Sequence, residues 1–328
     1  MDSKTHCILQ KPTDAIVMMP RTGKLTPVTR KVYNALLHRT QTEVIVLREQ
    51  GRAVDATYLF SAPLHEVLKQ TLREQSKSDN MTSVKGYFME MRRTEVDWEA
   101  PDASSGVVWR SMGLLSEAQL EKRDGVIWAL WALPPTLMAA VSDPKRFTPL
   151  DLEEIGKLDR YAAIALYEIC ARYRDNPTGL TSRNGVEWWT DALSNAPASL
   201  DPVTGQRNRR EWRKFKREFV APAIQEINRK TDLVIGLLEF KEVRTIKEAQ
   251  FKVKRKPQTI ESTLPKVAIE LAELAAANLH WLMVWKGLPS KPPWRAHRCR
   301  AQWPGRAQLP PWAQQPCRAA RCGHAASN

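Results

Sequence analysis

Apolar residues recur at three- and four-residue spacing through most of this chain, and in two places that pattern gives way to extended segments. Thr26-Pro27 has the form of an N-cap followed by proline at the first helical position, and opens a helix to about Thr40. Ser61-Ala62-Pro63 opens a second, which carries Leu64, Val67, Leu68 and Leu72 toward a core. Asn80-Met81-Thr82-Ser83 opens a third, with Val84, Tyr87, Phe88 and Met91 at helical spacing. Extended segments follow at residues 94–99, at Val107-Val108-Trp109 and at 126–133, with a loop at Asp102, Ser104, Ser105 and Gly106. Three helices followed by a sheet-forming hairpin is the order of a winged helix.

The second half repeats this order. Thr148-Pro149 opens a short connecting helix, and residues 161–173 form the next, with Leu166, Ile169, Cys170 and Tyr173 on one face. Asn176-Pro177-Thr178-Gly179 stops it. Residues 185–195, including Trp188 and Trp189, make another helix, and a loop at 196–205 leads into a long basic one. Pro222 lies inside that last pattern and predicts a bend, because proline cannot donate the helical hydrogen bond. Residues 233–240 and 249–254 read as hairpin strands, with Lys241, Arg244 and Lys247 near the tip as a cationic wing suited to phosphates. The repetition is architectural, without an exact sequence repeat.

The fold class is therefore α+β: two tandem winged-helix domains, mainly helical with small β-hairpin wings. The expected divisions are a flexible N-terminus (1–14), a first winged helix (15–145), a second (146–256), a C-terminal helix (257–287) and a disordered basic tail (288–328) rich in Pro, Arg, Ala and Trp.

Charge sharpens this picture. Of the formal net charge of +14, +8 lies after Glu273, where no acid occurs, leaving +6 for residues 1–273. Within that part, residues 207–217 pack seven cations and one acid into eleven positions. On a helix, Arg209, Arg210, Arg213, Lys214, Lys216 and Arg217 spread over a basic arc, while Trp212, Phe215 and Phe219 gather opposite. Asn208 with Glu211 has the form of a capping box, which would place the cations in the first turns. A helix held by aromatics on one side and cationic at its start is what a major-groove reader requires. A solvated surface helix, or one lying on a membrane surface, produces the same wheel.

Other chemistry is thinly supported. The six histidines, at 6, 38, 65, 280, 297 and 324, form no His-x-His pair, and no Gly-x-x-x-x-Gly-Lys-Ser/Thr phosphate loop occurs. Tyr87, Tyr161, Tyr167 and Tyr173 fall at core-facing helix positions. Cys299, Cys317, Cys322 and His324 lack the paired short spacings of a zinc site, and Cys170 sits in an apolar helical pattern. The expectation is a protein without catalytic residues, metal or cofactor. The N-terminus carries no apolar signal core, and Lys266, Glu270, Glu273 and Lys286 interrupt the apolar stretch at 264–288, which reads as a packing helix rather than a membrane span.

Arg160-Tyr161-Ala162, Leu166-Tyr167-Glu168-Ile169 and Tyr173 are followed by Trp212-Arg213-Lys214-Phe215-Lys216-Arg217, then by Ala223-Ile224-Gln225-Glu226-Ile227-Asn228 and Thr231. Together they resemble the C-terminal winged helix of the initiator replication proteins of iteron-containing, theta-replicating bacterial plasmids. Leu133-Pro134-Pro135-Thr136-Leu137, Phe147-Thr148 and Leu152 are similar to that family's linker between its two winged helices. The resemblance spans about residues 15–255 and is strongest over 130–255.

What the resemblance implies is a DNA-binding set on two helices. Arg213, Lys214, Lys216 and Arg217 fall on the second domain's recognition helix, with Arg207, Arg209 and Arg210 leading into it and Lys241 and Arg244 on the wing. Thr82, Ser83 and Lys85 fall on the first domain's matching helix, with Arg92 and Arg93 nearer its end. The implied partners are double-stranded origin DNA, a second copy of the chain paired through the first domain, the host initiator ATPase and the replicative helicase. The implied location is the bacterial cytoplasm, with the plasmid or nucleoid.

Two departures stand out. The first recognition helix has only Lys85 as a cation before Arg92, and the tail after Gly287 matches nothing in the family pattern. Translation in a shifted frame and a basic arm with nonspecific phosphate affinity both accommodate that tail. A winged-helix transcription regulator is the nearest alternative reading; a rolling-circle nicking enzyme is more distant.

Overall fold

The computed structural model describes residues 7–69, 81–98 and 111–257, all within one compact unit, Met1–Pro257. The expected cap at Asn80, the segment at 102–109, the C-terminal helix, the basic tail and its cysteines lie outside the described residues.

In chain order the first half comprises β1 (Ile8–Pro12), β2 (Met18–Pro20), α1 (Pro27–Glu49), β3 (Phe60–Pro63), α2 (Leu64–Lys69), α3 (Met81–Arg93), β4 (Glu95–Trp98), β5 (Ser111–Gly113), β6 (Glu117–Arg123) and β7 (Val126–Ala132). Thr26 caps α1, its hydroxyl accepting from the Thr29 N–H at 3.2 Å. The helix runs past Thr40 because Val44 and Leu47 extend its buried stripe. It stops at Gly51, where φ is 70° and the Gly51 and Arg52 amides bond back to Arg48 and Leu47.

The second half adds α4 (Pro135–Ser142), β8 (Phe147–Asp151), α5 (Leu152–Gly156), α6 (Tyr161–Ala171), β9 (Asn184–Gly185) and α7 (Val186–Leu193). These lead to α8 (Trp212–Phe215), a π-helical turn (Lys216–Val220), α9 (Ala221–Lys230), β10 (Leu233–Glu242) and β11 (Thr245–Arg255). The duplication is visible in the pairing. The sheet of the first winged helix runs β3-β7-β6 and that of the second β9-β11-β10. In both, the strand before the second helix pairs with the later strand of the hairpin.

Three sequence expectations give way here. Ser61-Ala62-Pro63 is strand, not helix start: Phe60 and Ala62 alternate into the core and Phe60 pairs with Trp131. Thr148-Pro149 lies in β8, with helix α5 opening instead at Asp151, whose carboxylate accepts from the Glu153 N–H. Residues 8–14 are not a loose terminus. β1 pairs antiparallel with β8, Leu9 opposite Leu150, and both Leu9 and Lys11 are fully buried.

Helix α6 was expected to bury one face and buries every residue from Tyr161 to Ala171. It packs against α1, α7, α9, β8 and β10, so elements from both halves of the chain close around it. The buried indoles are satisfied on either side: Trp131 donates to the Thr40 hydroxyl at 3.0 Å, and Trp189 to the Ala249 carbonyl at 2.9 Å.

Candidate nucleic-acid interface

The basic segment does not start as a helix at Asn208. The Asn208 amide donates to the Ser199 carbonyl at 2.7 Å, and Leu200 bridges to Arg207, which holds the segment extended. The helix begins at Trp212 after Glu211, without a side-chain cap. Arg207, Arg209 and Arg210 therefore precede the helix and do not share its arc.

Protein carboxylates divide the cations further. Arg209 grips Asp191 through Nε and Nη2, at 3.0 and 2.9 Å, and reaches Glu187 through Nη1 at 3.0 Å. Arg207 stands 3.8 Å from the same Asp191. Arg210 donates to Glu218 at 2.6 Å and lies over the Phe219 ring. Lys216 donates to both oxygens of Glu239, which also accepts from the Trp212 indole at 2.7 Å, so this pair ties the helix to β10. Arg213, Lys214 and Arg217 remain exposed. Among the described residues Arg213 and Lys214 form no ion pair, and the nearest acid to Arg217 is Glu218 at 3.9 Å.

Behind those three, Trp212 and Phe215 are buried and their rings stack. Phe219, expected on the same stripe, is 36% exposed. The bend expected at Pro222 appears instead as the π-helical turn just upstream, in which the Ala221 amide bonds back five residues to the Lys216 carbonyl. Pro222 supplies no amide, and through the wider turn the helical backbone runs from α8 into α9 without a break.

Past that turn the exposed stripe continues through Ala221, Gln225 and Arg229, each four residues on from the last. Gln225 and Arg229 lie beyond the charged run at 207–217 that marks the segment in sequence, and only their four-residue spacing from Arg217 signals them there. Beside the helix, Lys241, Arg244 and Lys247 are exposed on the hairpin wing, and a register shift after Phe240 leaves Lys247 outside the ladder.

The matching helix of the first domain is built the same way but carries less charge. Val84, Phe88 and Met91 are buried, while Thr82, Lys85 and Arg93 are exposed and Ser83 is half-buried. Arg92 is exposed as well, but its Nη1 is held by the chain itself, donating to the Leu115 and Ser116 carbonyls in the turn before β6. Among the described residues no group of three or more His, Cys, Asp or Glu is placed to hold a metal ion, and no helix is long and apolar enough to cross a membrane.

A family model described as "Initiator Replication protein, WH1" matches residues 12–171, and one described as "Initiator Rep protein, WH2" matches residues 203–253. An uncharacterized 27.6 kDa protein of Escherichia coli is 27% identical over 180 residues, 55% of this chain and 67% of its own length. Among solved structures, the Pi initiator protein in complex with iteron DNA aligns over 74% of this chain and 97% of that one, at 13% identity and a TM-score of 0.49. Domains 2 and 3 of RctB align over 72% and 85%, at 12% identity and a TM-score of 0.38.

Proposed function

The chain belongs to the initiator replication protein family, both of whose winged-helix regions it contains, and on that premise we propose that it binds repeated sequences in the double-stranded origin of a bacterial plasmid and nucleates their opening. The observation that carries this reading is the face formed by Arg213, Lys214 and Arg217. These exposed cations sit on a helix whose opposite side is fixed by Trp212, Phe215 and the Lys216–Glu239 pair.

The helix lies in the major groove. An arginine that meets a guanine edge through two donors gives about 1–3 kcal/mol of base discrimination. Lys214 and the wing cations Lys241, Arg244 and Lys247 set register on phosphates. Gln225 and Arg229 lengthen the contact, the glutamine having the amide geometry that pairs with adenine. Two reading heads about one helical turn apart cover a site of roughly 20 base pairs.

Strand opening follows from binding several copies side by side and straining the duplex, with no covalent step and no cofactor on this chain. Pairing of two copies through the first domain represses the chain's own gene, and the host initiator ATPase and replicative helicase take over the opened strands. The protein works in the cytoplasm, on plasmid DNA.

Footprinting the full chain on the DNA upstream of its own gene tests this, together with a nicking assay on supercoiled origin DNA. The expected result is protected direct repeats and no nick. Protection of a single palindrome alone would make the protein a transcription regulator, a covalent nick would make it an enzyme, and no protection would end the proposal.

A further inference from the structure

Each winged helix closes its hairpin with two residues, but the two turns are built differently. Between β6 and β7 the turn is Asp124-Gly125, at φ 48° and 83°. Those residue types enter the left-handed region at little cost. Between β10 and β11 the turn is Val243-Arg244, and Val243 sits at φ 56°. A β-branched side chain is poorly suited to that conformation, and Gly, Asn or Asp would close the same turn without the strain. The fold offers Val243 no compensating contact, since the residue is 95% exposed. Around it stand Lys241, Arg244 and Lys247, all exposed, with the acid Glu242 ending β10 just before the turn.

An apolar tip collared by cations on a two-stranded ribbon matches one surface well. In a minor groove, the cations meet the phosphates of both rims while the apolar group reaches between base steps and unstacks them. We propose that Val243 is a wedge in the minor groove of the duplex flanking the base-reading helix, so that the second wing bends DNA while the first, ending in Asp124-Gly125, does not. The cationic collar favours this over a protein partner, which an uncharged apolar tip would fit as well. The inference rests on the DNA-binding reading above and adds a residue that sets the shape of the bound duplex.

The test compares full-length wild type, Val243→Gly, Val243→Leu and Arg217→Ala on a DNA fragment carrying the protected repeat. Bend angle is read by circular-permutation mobility and minor-groove contact by hydroxyl-radical footprinting. Val243→Gly relieves the strained turn, so its thermal midpoint is expected to equal or exceed that of wild type. It still protects the repeat, with affinity lower by about ten-fold, but loses most of the bend and the flanking minor-groove protection. Val243→Leu keeps both. A Val243→Gly protein that bends DNA as wild type does overturns the wedge, as does unchanged bending accompanied by lost initiation in cells, which would point to a protein contact. If wild type protects no repeat and Arg217→Ala behaves identically, the DNA-reading proposal itself has failed, which is a separate outcome.

Discussion

Glu168 of α6 and Arg30 of α1 stand 138 residues apart in the chain and meet in the interior, carboxylate Oε2 lying 2.8 Å from guanidinium Nη2 and Oε1 3.2 Å from Nε. Neither side chain has exposed surface. Lys11 of β1 donates to Oε2 at 2.8 Å and Asn34 to Oε1 at 2.7 Å, while Arg30 also donates to the Tyr161 hydroxyl. One acid thus gathers three donor side chains, from β1 and α1, and ties α6 to both elements. A lost partner leaves buried charge without compensation, which costs about 3–5 kcal/mol. Glu168→Ala is expected to lose that much in urea unfolding, with a matching loss from Arg30→Ala.

The same cluster makes stability depend on pH at both ends. Burial opposes ionisation of Glu168, but Arg30 and Lys11 outweigh it and hold the carboxyl down at about 2. Its contribution is complete above its ordinary value of 4.5 and drains away as pH falls toward 2. For Lys11 the balance of causes is reversed, although the slope has the same sign. Burial, with Arg30 repelling it, outweighs Glu168 and pulls the amine from 10.5 to about 8. Between those values the unfolded chain holds a proton that the folded one has shed, so this group makes stability rise with pH. Urea midpoints from pH 2 to 10.5 should show both slopes, with Glu168→Gln flattening the acid one and Lys11→Met the alkaline one.

The reading helix separates two kinds of cation, and mutants should separate with them. Arg213→Ala or Arg217→Ala removes an exposed charge without touching the packed side, so the unfolding midpoint stays and binding weakens, by about 1–3 kcal/mol where a bidentate base contact is lost. Lys216→Ala breaks the tie to Glu239 and Arg209→Ala frees Asp191, and both are expected to lower stability more than base preference. Binding titrations on matched and scrambled repeats, set beside thermal melts, decide it. Equal binding by all four variants would remove this helix from the interface.

Much of this was legible in local pattern. Val84, Phe88 and Met91 marked α3, and the apolar positions around residues 233–254 marked the second hairpin, because each element's own periodicity decides its state. What escaped is decided by distant partners. Phe60 and Ala62 are strand because Trp131 and Ala129 lie opposite, and Leu9 is core because β8 runs beside it. Asn208 looked like a cap until the Ser199 carbonyl took its amide. The basic wheel puts Arg213, Lys214 and Arg217 on the open side of the helix, where all three are exposed, but Asp191 and Glu239, which engage Arg209 and Lys216, come from other elements and leave no trace in the segment itself.

The aromatic stripe also separates into unequal parts. Phe215 is 2% exposed and stacks between Trp212 and Phe219, whereas Phe219 is 36% exposed at the end of the row. Truncating a buried phenylalanine leaves a cavity and costs about 3–5 kcal/mol. Phe215→Ala should reach that range. Phe219→Ala should fall well below it, losing part of its burial and its contact with Arg210. Equal losses in denaturant titrations would mean that the side chain of Phe219 is covered in solution.

Two glycines at positive φ distinguish backbone strain from collision. Gly125 closes the first wing at φ 83° with nothing within 4 Å of the place a Cβ would occupy. Alanine there meets only the intrinsic cost of the left-handed region, about 1–2 kcal/mol. Gly179 sits at φ 58°, and a Cβ would come within 2.6 Å of the Val253 carbonyl oxygen. The same glycine's carbonyl accepts the Val253 amide at 2.6 Å, so its backbone lies directly against β11. Backbone cannot swing aside as a side chain tip does, and β11 would have to shift along with the wing it supports. Gly179→Ala is therefore expected to lose clearly more stability than Gly125→Ala, and to weaken DNA binding in proportion to how far the wing moves. Parallel thermal melts of the two single mutants check the order, and a reversal would mean that β11 is free to move away from Gly179.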